Sequence, residues 1–155
     1  DPEVAGLWTG SYWAMFTVGR VLAGLFAKRI GVNGLVRGSV LGALLGSFLL
    51  WWNPLEIVSL LGVAVIGLSI APIFPAMVSG TSQRVSRRYA ANTIGIQMGG
   101  ASLGATAIPA LIGVLARRIS LEVVPVVLFT LFALLFILYA LTIKLKIQDE
   151  DGGEG

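Results

Sequence analysis

The stretch VVPVVLFTLFALLFILYALTI, residues 123 to 143, carries no charged side chain and is apolar on every face. As a helix it would be about 30 Å long, the thickness of a bilayer's hydrocarbon core. A membrane strand needs only about 10 residues and alternates apolar with polar, a pattern absent here. In lipid, a single segment satisfies all its backbone donors and acceptors internally only as a helix. The solvent this stretch expects is hydrocarbon, and the fold class follows: an all-α membrane protein.

Four more apolar runs precede it, at about 4–27, 35–52, 57–79 and 90–116, the first broken only by Arg20. Five spans make one transmembrane helical domain, residues 1–147. The remaining QDEDGGEG, 148–155, is acidic, Gly-rich and nearly free of apolar side chains, and is expected to be a disordered cytoplasmic tail.

Composition agrees. The chain is 56% hydrophobic and 12% charged, with mean hydropathy +0.89; soluble domains carry about 25% charged residues. There is no cysteine and no histidine, so disulfides, Cys-type zinc sites and the commonest general base are all excluded. No cofactor is expected. A net charge of +3 is no nucleic-acid signal once the charges are placed. Lys28, Arg29, Arg37, Arg84, Arg87, Arg88, Lys144 and Lys146 fall in the first and third connections and after the fifth span. Only Arg117 and Arg118 fall on the other side. The positive-inside rule therefore puts the C-terminus in the cytoplasm and Asn53 outside. An N-terminus outside, with Asp1 in place of Met and no signal peptide, is expected for the tail of a longer protein.

The spans differ in character. The second and fifth have almost no polar side chains in their middles, as suits lipid-facing helices. In the first, Thr9, Trp13, Phe16, Thr17 and Arg20 fall within an arc of roughly 100°. The fourth carries Asn92, Thr93, Gln97, Ser102 and Thr106. These two helices are expected to line something wetter than lipid. Glycines at every fourth position, Gly38, Gly42 and Gly46 in the second span and Gly95 and Gly99 in the fourth, clear strips for close helix packing. Pro72 and Pro75 in the third span crowd the carbonyls of Leu68 and Ala71, and Pro109 that of Ala105. Broken helices beside a cavity are a transporter habit.

Catalysis finds no support. GASLG, 100–104, matches G-x-S-x-G by letter, but that elbow needs a strand-turn-helix setting and a histidine. All eight acidic residues lie outside the spans, so no carboxylate pair is available within the membrane.

GRVLAGLFAKRIG, 19–31, resembles the loop signature G-x-L-A-D-R-x-G of the major facilitator superfamily. Gly24, Phe26, Ala27, Arg29 and Gly31 fall on it, and Lys28 replaces its aspartate. AGLWTGSYWAMFTVGR, GLSIAPIFP and NTIGIQMGGASLGATAIPALIG look most like the fucose-permease branch of sugar transporters. The resemblance implies helices eight to twelve of twelve, with an N-terminal transporter half as partner. It also implies a secondary active transporter that moves a small polar solute, a sugar by that branch, by proton-coupled alternating access in the plasma membrane. An exporter of drugs or other metabolites on the same fold, or a non-transporting membrane scaffold, are the rival readings.

On this frame Gln97, Tyr12, Trp13 and Asn92 are the candidate solute-binding residues. Gln97 offers two donors and an acceptor to sugar hydroxyls, and its rival role is an interhelical hydrogen bond. Tyr12 and Trp13 offer an aromatic wall, their rival role being an interfacial belt. Arg20, Lys28 and Arg29 are the candidate gate and interface charges. Arg20 is expected to find a carbonyl freed by Pro72 or Pro75, or a carboxylate in the other half, or to snorkel to the headgroups.

Overall fold

The computed structural model describes residues 2–52 and 55–151. Five helices follow in order: α1 (Pro2–Trp52), α2 (Glu56–Ile70), α3 (Ile73–Arg84), α4 (Arg87–Arg118) and α5 (Val123–Asp151). No strand occurs among the described residues.

A straight helix as long as α1 would measure about 75 Å, more than twice the bilayer core. It is not straight. Gly31 sits at φ 71°, ψ 166°, a left-handed conformation open to glycine and strained for other residues. The kink divides α1 into two arms, 2–30 and 32–52. The basic connector expected as a loop is thus helical on both sides of a single glycine.

The two arms pack on opposite sides of the third span, and glycine allows the approach. A Cβ at Gly46 would lie 2.8 Å from the Gly62 carbonyl oxygen, and one at Gly62 would lie 2.7 Å from that of Gly46. On the first arm, a Cβ at Gly67 of α2 would lie 2.6 Å from the Tyr12 carbonyl oxygen. The order of contacts, Tyr12 by Gly67 and Gly19 by Leu68 and Ala71, runs parallel to α2. On the second arm, Gly42 by Ser69 and Gly46 by Gly62 run antiparallel. The arms therefore form a hairpin with α2 wedged between them.

The third span breaks at Ala71 and Pro72, between α2 and α3. Pro72 has no amide hydrogen to offer the Leu68 carbonyl. That freed carbonyl lies against Gly19, where any Cβ would collide with it. Pro75 stands in the first turn of α3, where its missing donor costs nothing. Pro109 lies inside a continuous α4.

The buried core is narrow and made of small side chains: Val36, Val40, Ala43, Ile66, Ala71 and Ala76, with Ser39, Ser47, Ser59, Ser69 and Thr81. Two of these hydroxyls keep their protons within their own helices: Ser47 Oγ donates to the Leu44 carbonyl at 2.9 Å and Thr81 Oγ1 to that of Met77 at 3.0 Å.

Contacts also align the ends. The Tyr139 hydroxyl of α5 donates to the Asn33 carbonyl at 3.3 Å, and Gly80 of α3 meets Val32. At the other end, the Trp51 and Phe129 rings lie 6.1 Å apart. The Gly31 kink, the α3–α4 connection and the later part of α5 thus share one end, the end rich in Lys and Arg. α5 continues past the expected limit of 143 to Asp151, since the first helix breaker in that region is Gly152. The acidic stretch expected to be disordered is helical from 148 to 151, and its remainder, 152–155, lies outside the described residues, as does Asn53.

The α1–α2 contact gives a direct test. Gly46→Ala should lower thermal stability by about 1–3 kcal/mol, since both backbones must move apart. Gly38→Ala, where a Cβ meets nothing within 4 Å, should be neutral or slightly stabilising. Thermal unfolding of the full-length protein in lipid nanodiscs separates the two.

Candidate functional site

The first arm of α1 turns two different faces to its surroundings. Close packing of the Tyr12 backbone against Gly67 leaves Tyr12 half-buried and sends Trp13 outward, 58% exposed. Tyr12, Trp13 and Phe16 form one aromatic cluster. Trp13 stands edge-on to Tyr12 at 5.3 Å and to Phe16 at 5.6 Å, while Tyr12 and Phe16 stack at 6.0 Å. Thr9, Thr17 and Arg20 are exposed on the Trp13 side.

Among the described residues, Arg20 meets neither a freed carbonyl nor an acid. Its guanidinium carbon lies 4.9 Å from the centre of the Phe16 ring, one helical turn back. The freed Leu68 carbonyl lies against the neighbouring Gly19 backbone. A cation–π contact is worth about 0.5–2 kcal/mol, whereas an arginine at mid-membrane costs about 2.5–3.5 kcal/mol. The aromatic ring offsets part of that cost, and water or polar groups at the exposed face must supply the rest. Lys28 and Arg29 are exposed at the end of this arm, beside the Gly31 kink.

α4 has no buried residue. Its contacts run along a face that includes Ala90, Thr93 and Gln97, all half-buried. Gln97 Nε2 donates to Thr81 Oγ1 of α3 at 2.7 Å, so the interhelical role weighed for this amide is the one its geometry displays. Gln97 Oε1 is buried without a hydrogen-bond partner. Five residues separate Asn92 from Gln97, which places them about 140° apart around the helix. Asn92 is exposed on the opposite side, in a strip with Gly95, Gly99, Ser102 and Thr106. Nothing stands within 4 Å of a Cβ at Gly95, Gly99 or Gly100. Gly42 and Gly46 of the second span are in contact; Gly95, Gly99 and Gly100 of the fourth face open space.

Four sequence-predicted residues therefore divide. Tyr12 and Trp13 adjoin in one cluster, Asn92 lies on the open strip of α4, and Gln97 joins α4 to α3 from behind. Thr81, which holds Gln97, and Phe16, which holds Arg20, were missed as partners. Helical spacing alone would have found Phe16, four residues before Arg20. No group of three or more metal-ligating side chains occurs among the described residues.

The described residues include four helices long and apolar enough to cross a membrane, one of them folded at Gly31. Among protein families, the chain matches the Major Facilitator Superfamily over residues 1–153. It belongs to that superfamily of membrane transporters and is an integral, multi-pass membrane protein. Neither the curated proteins nor the solved structures gave a match.

The Gln97–Thr81 bond is measurable as a coupling energy. A double-mutant cycle with Gln97→Leu and Thr81→Val should return about 0.6–1.7 kcal/mol, the range of interhelical side-chain bonds in membranes. A cycle pairing Gln97→Leu with Thr106→Val, on the opposite face of α4, should return about zero.

Proposed function

We propose that this chain forms helices eight to twelve of a proton-coupled secondary transporter that moves a small polar solute of sugar type by alternating access. The observation that carries the reading is the open strip of α4. Asn92, Ser102 and Thr106 alternate with glycines on a helix face that no described residue covers. A lipid-facing helix has no use for such a strip, because hydroxyls and amides gain nothing from hydrocarbon. The exposed Trp13, Thr17 and Arg20 of the first arm give a second face of the same kind.

On this reading Asn92 hydrogen-bonds solute hydroxyls, and the Tyr12–Trp13 pair packs against the solute's C–H face. Gln97 acts from behind, holding α4 to α3 through Thr81 and so fixing the direction in which the strip points. Arg20, Lys28 and Arg29 lie where the two transporter halves would meet, Lys28 and Arg29 at the basic end and Arg20 about 12 Å of helix before Lys28. Lys28 stands in the place of the signature's aspartate, so the gate of this half cannot form the usual acid-to-base pair at that position. The second arm of α1 and α5 take peripheral places. The sugar class and the proton both rest on the resemblance to the fucose-permease branch. No carboxylate lies within the spans, so the proton is carried by residues of the other half. The basic end faces the cytoplasm of a plasma-membrane protein, in keeping with the positive-inside rule.

Uptake of a panel of radiolabelled monosaccharides by the full-length transporter tests the solute face. Asn92→Ala and Trp13→Ala should each lower uptake by about tenfold or more at unchanged membrane abundance. Thr130→Val, on α5, should leave it unchanged. Full uptake in both site variants would remove the strip from the solute path.

Orientation is tested separately, because the chain is free of cysteine. Single cysteines replacing Lys28 or Arg88 should react with an impermeant maleimide only from the cytoplasmic side, and one replacing Glu122 only from outside. The reverse pattern would invert the topology.

A further inference from the structure

A cavity of about 420 Å³ lies within the helices at the basic end, walled by the second arm of α1, α3, α4 and α5. Val36, Val40, Ile73, Leu135 and Leu138 make it largely aliphatic, and Gln97 and Thr81 stand together in its wall. It lies on the packed side of α4, away from the Asn92 strip, and so is distinct from the proposed solute face.

The polar end of this cavity has a definite chemical sense. The Gln97 amide nitrogen gives one of its two N–H groups to Thr81 Oγ1 at 2.7 Å. The Thr81 hydroxyl proton is used as well, donating to the Met77 carbonyl at 3.0 Å. Thr93 likewise gives its proton to the Tyr89 carbonyl at 3.0 Å. The polar atom left wholly without a partner is Gln97 Oε1, a buried acceptor. A buried, unsatisfied carbonyl oxygen is costly, and each such group in a native structure calls for an occupant or an explanation. An occupant that only accepts hydrogen bonds would not satisfy it. A charged one would leave its counter-charge unmet, since none of the cavity's lining residues is ionised at neutral pH.

We propose that this cavity is a binding site for a small uncharged amphiphile with one hydroxyl or N–H donor. Its donor bonds to Gln97 Oε1 and its aliphatic body lies along Val36, Val40, Leu135 and Leu138. Because Gln97 also ties α4 to α3, the occupant sits at the joint that fixes the direction of the open strip. The site is thus placed to modulate transport without touching the solute.

The probe is a photoactivatable octanol bearing a diazirine, applied to the full-length transporter in lipid vesicles, with labelled peptides mapped by mass spectrometry. Labelling of 32–40 and 135–142 should saturate and be competed by 1-octanol. Heptyl methyl ether, of equal size but without a donor, should compete about tenfold less well. Gln97→Leu should lower labelling by about tenfold. Leu135→Trp fills the cavity while leaving the Gln97–Thr81 bond in place, and should abolish saturable labelling even if Gln97→Leu fails to fold. Equal competition by the ether, or labelling spread evenly over lipid-facing helices in every variant, would overturn the proposal. A cavity holding only water would give no saturable labelling and would overturn it equally.

Discussion

The fold depends on backbone meeting backbone along the third span. Helices in lipid gain little from hydrophobic burial against one another, because lipid tails are as apolar as leucine. What remains is dispersion between closely fitted surfaces, and that attraction falls steeply with distance. Glycine at Gly46, Gly62 and Gly67 brings α2 within van der Waals range of both arms of α1. One further contact does two jobs. The Leu68 carbonyl, released from its helix by Pro72, lies against Gly19, so the proline break and the glycine on the neighbouring helix form a single device. Any side chain at position 19 would collide with that carbonyl.

That cluster explains why the polar faces point where they do. Seating Tyr12 over Gly67 fixes the rotation of the first arm, and rotation alone decides that Trp13, Thr17 and Arg20 face outward. On α4 the Gln97–Thr81 bond performs the same service with side chains, because α4 has few close backbone contacts to hold it. The two faces most suited to a polar solute are therefore set by residues pointing the other way. On the proposed reading, a substitution in the supporting set acts on transport through helix rotation, and uptake alone would not distinguish it from loss of a solute contact.

Much of the architecture was legible in the sequence, since the hydrocarbon thickness leaves few alternatives for runs as apolar as 57–79 and 123–143. Length and charge placement carried that much. The kink was less legible: Gly31 belonged to a recognised signature, but nothing local said that helix would resume at once on either side. The glycine strips show where spacing fails. Gly42–Gly46 and Gly95–Gly99 have the same pattern, yet the first pair packs against α2 and Ser69 while the second meets nothing. A strip records that a helix can be approached and is silent on what approaches it. Gln97 failed for a related reason. Its partner lies 16 residues away, across the α3–α4 connection, and no periodicity within one helix encodes that distance. The division between Asn92 and Gln97 was within reach, because about 140° of helical rotation separates them whatever the tertiary structure.

Arg20 brings these strands together. A fixed charge in an apolar helix requires partners worth about 2.5–3.5 kcal/mol, and the Phe16 ring supplies only part of that. The guanidinium is exposed on the same face as Thr9, Trp13 and Thr17, while Gly19 beside it is buried against the Leu68 carbonyl. Adjacent residues thus serve opposite ends: Gly19 anchors the arm and Arg20 projects from it. If the remaining stabilisation came from headgroups by snorkelling, the side chain would extend toward the basic end and leave the aromatic cluster. Its guanidinium instead lies over Phe16, a turn back toward the N-terminus of the arm, away from that end. The guanidinium is turned back from the basic end toward the aromatic cluster, the direction opposite to that of snorkelling.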